Sequence, residues 1–291
     1  MMRNILITGV TGTMGSAIAE SLSDNQENNI LGISRDEQKQ RALPLKDNIK
    51  YRICDVRDLD GMVRICDDKI DIIYHLAALK CVDTIEYNPY EAIKTNVIGT
   101  QNVFDLARIH GAKIVFTSTD KACYPINAYG QSKALAEKIV MQNPRHVVCR
   151  YGNVLGSRGS ILSPLITSLK DLNKAYLTHN KMTRFWMPQD TVRDFIIACG
   201  DTDVGGGLLI PQDIKSSYVS DLIHCVAKIL RIYNYDVNEI GVRPGEKFHE
   251  VLMTEFENPL LSKDISTSDN SRIMTSQELK KMIKPIVERM L

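Results

Sequence analysis

Thr8-Gly9-Val10-Thr11-Gly12-Thr13-Met14-Gly15 stands between a short apolar run, Asn4 to Thr8, and a stretch of helical periodicity, Met14 to Ser23. A strand that turns on spaced glycines straight into a helix fits the first βαβ unit of a parallel sheet that binds a dinucleotide. Gly9 permits the tight turn, Gly12 lets a pyrophosphate approach the backbone, and Gly15 lets the helix pack on the strand. The helix N-terminus that follows offers amide donors and a positive dipole end to phosphate. Thr13 and Met14, in its first turn, join the glycines as candidate cofactor contacts.

The first half keeps that rhythm. Apolar runs at Asn29 to Ser34, Lys50 to Cys54, Ile70 to His75, Lys113 to Ser118 and His146 to Arg150 alternate with helix-like segments. These segments are Leu59 to Cys66, Pro89 to His110 and Ala128 to Gln142. Pro89 suits a first helical turn and Gly111 a helix stop. The pattern predicts an α/β fold, a Rossmann-like doubly wound parallel sheet with a smaller C-terminal substrate-binding lobe. After Tyr151, Gly152, Gly156 and Gly159 mark loops, and Gly205 to Gly207 a turn before a strand at Leu208 to Ile210. Helical segments at about Thr191 to Gly200 and Val219 to Ile232 rejoin the core, and Leu261 to Ser271 reads as a loop before a last short helix. The expected boundaries are 1–151 with about 190–232 for the dinucleotide-binding domain, and about 152–189 with 233–291 for the lobe.

Lys and Arg number 36 against 35 Asp and Glu, so no overall field favours nucleic acid, and local cations must hold any anionic ligand. No apolar run approaches the ~18 residues of a membrane span, and a strand begins too soon after Met1 for a signal peptide. The 7 cysteines are scattered without a CxxC pair, as expected of a reducing, cytoplasmic compartment. The 6 histidines are dispersed and show no HExxH spacing, so no metal site is expected.

The second strand ends in Ser34-Arg35-Asp36. An arginine there suits the 2′-phosphate of NADP, whereas an acidic residue taking the ribose hydroxyls suits NAD. Ser34 and Arg35 come first, which favours NADP, with Asp36 on the ribose as the alternative. Asp55 and Val56 follow the third strand, where Asp55 suits the adenine edge. Leu76, Ala77 and Ala78 follow the fourth, where small residues let the backbone approach the cofactor.

Tyr129 and Lys133 lie on one face of the predicted helix. A nearby ammonium favours ionised tyrosine, making Tyr129 a candidate base for a sugar hydroxyl whose carbon gives up a hydride. The strand before it runs into Ser118-Thr119-Asp120-Lys121, where open α/β sheets bind ligands. A simple dehydrogenase needs no acid/base pair such as Asp120 and Lys121. One chemistry does: oxidation at C4 of a hexose acidifies C5–H, one group removes that proton, and another protonates the departing C6 hydroxyl. Hydride then returns to C6, so the cofactor ends as it began and stays bound.

With these residues in place, the chain resembles the extended short-chain dehydrogenase/reductases. Within them it is similar to the inverting UDP-N-acetylglucosamine 4,6-dehydratases of pseudaminic acid and capsule-sugar synthesis. The resemblance covers nearly the whole chain and rests on ordered blocks. They are His75 to Lys80, Glu86 to Pro89, Lys94 to Val97, Ser118 to Ala122, Arg150 to Val154, Gly156 to Gly159, Met182 to Met187 and Arg243 to Lys247.

The resemblance implies that Tyr129 deprotonates the C4 hydroxyl, Lys133 holds the nicotinamide ribose and Thr119 supports the sugar. Asp120 is then the acid at C6, and Lys121 the base at C5 with a proton affinity lowered by desolvation and Lys133. Asp-Lys, in place of the Asp-Glu of retaining dehydratases, implies inversion at C5. Asn96 is a further cofactor candidate, and Lys80 touches cofactor or substrate. Asn153, Arg158, Thr183, Arg243 and Glu246 are candidates for the UDP-sugar, since arginine forks suit diphosphate. Trp186 suits lobe packing and a ligand contact equally, Met182, Met187 and His249 read as packing, and Cys123 as incidental. The expected partner is UDP-N-acetylglucosamine, the expected assembly a homo-oligomer, dimer or hexamer, and neither nucleic acid nor membrane is expected. Absence of a membrane-anchored N-terminal region points to the short soluble form. A UDP-hexose 4-epimerase, an idle NADP-sensing regulator and a dehydratase of another nucleotide sugar are the alternatives.

Overall fold

The computed structural model describes residues 2–201, 206–257 and 267–291. Its strands run, in chain order, β1 (Arg3–Thr8), β2 (Asn28–Ser34), β3 (Ile49–Ile53), β4 (Ile72–His75), β5 (Lys113–Thr117) and β6 (Val147–Cys149). Then come β7 (Asn153–Val154), β8 (Lys174–Leu177), β9 (Thr183–Met187), β10 (Gly207–Leu209), β11 (Lys215–Tyr218) and β12 (Asp236–Glu239).

The first of two compact units holds Met1–Ser118, Ala128–Arg150 and Arg193–Ile210. Its 7-stranded sheet has the order β10-β6-β5-β4-β1-β2-β3, and every pairing is parallel. Such strands bury both faces, which is why β4 and β6 are buried at every residue. Leu6, Ile33, Ile73, Ile114, Phe116 and Val148 from the sheet pack with Val103, Leu106, Ala136 and Val140 from helices Gly99–His110 and Ala128–Val140. This is the Rossmann-like doubly wound sheet, and the strand order reverses between β1 and β4, where such sheets bind ligands.

The helical run from Pro89 to His110 is continuous but not uniform. Pro89 opens it, Ile93–Ile98 is π-helical, and Gly111 ends it in the left-handed region at φ 68. Gly205 of the expected turn lies outside the described residues, as do residues 261–266 of the expected loop.

The second unit holds Thr119–Asn127, Tyr151–Val192 and Pro211–Leu291. Strand β9 pairs with β7 in parallel and with β11 antiparallel, while β12 pairs with β8. The boundaries differ from those expected. Helix Val219–Leu230 packs on helix Ser276–Arg289, burying Leu222, Ile223 and Val226 with Leu279, Ile283 and Ile286. An apolar stripe needs a complementary stripe, and the last helix supplies it inside this unit. Among the described residues no helix is long and apolar enough to cross a membrane.

Candidate active site

In the first unit a cleft of about 520 Å³ opens at the ends of the β strands. Gly9, Gly12, Ser34, Arg35, Asp55, Val56, Leu76, Ala77 and Ala78 line it, so the structure gathers these expected residues at one place. Thr11, Asp36, Lys39, Cys54 and Thr95 also line it. Gly9 has φ +69, and a Cβ there would stand 2.8 Å from the backbone of Ala77, so the two loops meet only through glycine. A Cβ on Gly15 would stand 2.3 Å from the carbonyl of Gly9, which is the close helix–strand packing expected of it. Helix Thr13–Ser23 starts at Gly12 without a side-chain cap, leaving its N-terminus to the cleft, while Met14 is buried. The cradle fits a dinucleotide phosphate.

Arg35 is 51% exposed and stands 3.5 Å from Asp55. Asp55 is engaged by Arg57, which donates from Nε over 2.9 Å and from its backbone over 3.0 Å. Burial pushes the Asp55 carboxyl up, but Arg57 and Arg35 outweigh it and hold it below the usual range. Asp36 caps helix Glu37–Arg41, accepting from the Lys39 amide over 3.0 Å and from Lys39 Nζ over 2.5 Å. Its carboxylate is therefore committed to the cap, and Arg35 and Lys39 are the cations the cleft presents.

A directed chain of hydrogen bonds fixes the inner wall. The Thr8 hydroxyl accepts from the amides of Leu76 and Ala77 over 3.1 and 3.2 Å, so its proton goes to His75 Nδ1 at 2.7 Å. The ring then donates from Nε2 to Thr100 Oγ1 at 3.0 Å, and Thr100 donates to the carbonyl of Asn96 at 2.6 Å. Burial, helped by Lys133, pulls His75 down to about 3, so the ring stays neutral. Asn96 is not free for a cofactor as expected. Its side chain clamps Leu79 through N and O over 2.8 and 3.0 Å and donates to Ser132 Oγ over 3.0 Å. Lys80 is exposed at the end of that loop.

Helix Ala128–Val140 begins where Glu86 accepts from the Ala128 amide over 2.6 Å. Tyr129 is half-buried, and one turn later Lys133 is 3% exposed. Lys133 Nζ donates to the Thr117 carbonyl over 2.6 Å and lies 3.8 Å from the Phe116 ring centroid. Burial pulls its ammonium down to about 7 against the opposing pull of Glu137. Glu137, which sequence reasoning missed, accepts from Ser118 Oγ over 2.5 Å and from Arg150 Nε and Nη2 over 3.1 and 2.6 Å. This buried fork ties the ends of β5 and β6 to the helix.

In the second unit, Thr119, Asp120, Lys121 and Asn153 come together. Asp120 is 0% exposed, and its Oδ1 accepts from Thr119 Oγ1 and from Lys121 Nζ, each over 3.0 Å. Its Oδ2 is buried and accepts no hydrogen bond from the described residues. Burial raises the proton affinity of Asp120, and Glu250 adds to it, against the pull of Lys121. Lys121 differs from expectation. Burial lowers its proton affinity, but Asp120 and Glu250 outweigh that and raise it above the ordinary lysine value.

Glu250 is a further residue that the sequence reading missed. It lies 3.3 Å from Lys121 Nζ, 3.8 Å from Arg184 Nε and 3.8 Å from Lys247 Nζ. Its signal was a glutamate following the Arg243 to Lys247 block, but burial cannot be read from one position.

Thr183 does not join this group as a ligand contact. It is 0% exposed on β9, with its hydroxyl 2.8 Å from His249 Nδ1 and 2.7 Å from Ser268 Oγ. Arg243 and Glu246 share one turn, the Arg243 amide reaching Glu246 Oε2 at 3.4 Å, and Arg158 is exposed. Trp186 donates to Ser217 Oγ over 2.9 Å within the core, where Met182 and Met187 are also buried. The Cys123 carbonyl accepts from Lys247 over 2.6 Å.

The family model described as polysaccharide biosynthesis protein matches residues 5–271. A UDP-N-acetylglucosamine 4,6-dehydratase (inverting) of Campylobacter jejuni is 38% identical, covering 88% of this chain and 81% of that protein. A UDP-glucose 4-epimerase of Rickettsia bellii is 37% identical, covering 88% and 79%. The X-ray structure of Pen from Bacillus thuringiensis superposes with a TM-score of 0.88 at 32% identity, covering 98% of each chain. The chain therefore belongs to the polysaccharide biosynthesis protein family, and it has the short-chain dehydrogenase/reductase fold that its sequence resembles.

Proposed function

We propose that this protein is a UDP-N-acetylglucosamine 4,6-dehydratase, a hydro-lyase that inverts C5. The observation that carries the reading is the pair of buried Asp120 and half-buried Lys121, 3.0 Å apart. Relatives named as dehydratase and as epimerase are almost equally identical, so overall identity does not choose between them. An epimerase has no use for an acid and a base beyond the one that serves C4.

NADP, held in the cleft of the first unit, supplies a hydride acceptor and later a hydride donor. Arg35 and Lys39 support NADP over NAD, because Asp36 is taken by its helix cap. Tyr129 takes the C4 hydroxyl proton, and Lys133 orients the ribose beside it.

The Asp120–Lys121 bond explains how a lysine with raised proton affinity becomes a base. One proton moving from Nζ to the carboxylate converts the ion pair into a neutral amine and a carboxylic acid. Those are the two forms elimination requires. Lys121 then takes the C5 proton as Asp120 gives its own to the leaving C6 hydroxyl, so water departs and the ion pair is restored. Asn153 and Thr119 hold the pair, and Arg158, Arg243 and Glu246 are proposed for the UDP-sugar. The resemblance extends to a homo-oligomer, dimer or hexamer, and free thiols at all the cysteines suit a cytoplasmic enzyme.

Purified protein with UDP-N-acetylglucosamine in heavy water tests the reading. Loss of one water, no net change in NADPH, and deuterium at an inverted C5 are expected. An isomer of unchanged mass indicates the epimerase, retention at C5 removes Lys121 from its role, and inertness indicates the regulator.

A further inference from the structure

Lys121 sits between acceptors that belong to separate segments. Its Nζ is 3.0 Å from Asp120 Oδ1, 3.3 Å from Glu250 Oε1 and 3.5 Å from Asn153 Oδ1. An ammonium carries only three protons, so this set fixes its direction as well as its charge. Glu250 is 2% exposed, and its backbone is pinned to Ser268 by bonds of 2.8 and 2.9 Å. A carboxylate so deeply buried requires cations, and Arg184 and Lys247 supply them beside Lys121. Lys121 is the nearest of the three cations and does most to hold Glu250 charged, with Arg184 and Lys247 behind it, so the two side chains feel each other directly.

We propose that Glu250 is a positioning residue for the acid/base pair: it aims the Lys121 amine and sets the charge state in which that amine rests. The proposal rests on the dehydratase reading for its consequence, but the coupling between the two side chains stands on geometry. The charged groups facing Lys121 are Asp120 on its own segment, Glu250, and Arg184 on β9. Removing the Glu250 charge removes one of the two attractions that hold the proton on Lys121, while Arg184 continues to repel it. The amine then becomes neutral at lower pH.

The experiment uses the full chain with Glu250→Gln and Glu250→Asp. Lysines labelled with ¹³C at Cε are titrated by NMR, with the Lys121 resonance assigned by Lys121→Arg. In Glu250→Gln the Lys121 titration should fall by about one unit or more, and in Glu250→Asp it should stay near the parent. The pH profile of kcat/KM for water loss should move to lower pH with it, while Glu250→Asp keeps the parent's profile at a reduced rate. An unmoved Lys121 titration in folded Glu250→Gln, or a rate falling equally at every pH, overturns the proposal and makes Glu250 a counter-ion for Arg184 and Lys247 alone. If Glu250→Gln does not fold, Glu250→Asp decides: a longer gap to Lys121 should lower kcat more than it alters KM, and an unchanged kcat overturns the idea. Absence of water loss in the parent protein would sink the dehydratase reading, and the NMR titration would still decide this one.

Discussion

Lys121 donates to one oxygen of Asp120 over 3.0 Å while the other oxygen of that carboxyl is buried without a donor among the described residues. One hydrogen bond thus joins the two groups that the proposed elimination needs. Asp120→Asn preserves the shape of the group and removes the transferable proton. Water loss should fall by about 10²–10⁴-fold, while oxidation at C4, followed as reduced nicotinamide, persists. If both steps fall together, Asp120 is not acting as the C6 acid.

Arg35 stands at the mouth of the cleft with Lys39 nearby. Calorimetric titration should show NADP binding more tightly than NAD. Arg35→Ala should weaken NADP by about 10- to 100-fold, as expected for charged hydrogen bonds of about 1.5–3 kcal/mol, with little effect on NAD. Equal losses for both nucleotides would assign Arg35 to the shared pyrophosphate instead.

Lys133 gives a stability signature. Its ammonium is pulled from 10.5 to about 7 in the folded chain, so the unfolded chain binds its proton more readily between those values. Stability from this group is present above pH 10.5 and is lost as pH falls through 7. Lys133→Met should therefore be more stable than the parent at pH 6, by on the order of a few kcal/mol less what the Thr117 carbonyl loses, and this reads out as a higher Tm. That advantage should shrink toward pH 10, and a gap that ignores pH would refute the assignment.

Glu137 and Arg150 form a buried fork at 2.6 and 3.1 Å. Glu137→Gln leaves the guanidinium without a counter-charge and should destabilise the fold by about 3–5 kcal/mol in a urea titration. A change below about 1 kcal/mol would mean that Ser118 and the strand ends hold themselves.

The sheet of the first unit was legible because its central strands carry short apolar runs between helices with their own stripes, although the edge strand β3, Ile-Lys-Tyr-Arg-Ile, is mostly exposed. Glycine spacing placed the cleft for the same reason, since Gly9 and Gly15 answer to local backbone approach. The second unit was harder. Strands β8 and β12 pair across a long sequence separation, and although β8 alternates exposed and buried residues, β12 is exposed throughout and carries no matching pattern. Glu137 and Glu250 escaped notice because a charged residue in a polar segment reads as solvated until its burial is known. The raised proton affinity of Lys121 was missed with Glu250, the carboxylate that helps cause it.

The π-helical turn at Ile93–Ile98 has a mechanical corollary. An α-helix advances about 100° per residue, so one extra residue in a turn rotates everything before it relative to everything after it by about that angle. Thr95 and Asn96 face inward on that widened turn, while Val103 and Leu106 beyond it keep their own seat in the core. Deleting a single residue here would swing the Asn96 clamp off Leu79 while the helix end stayed where it is, so the length of this segment, rather than its composition, meters the inner wall of the cleft.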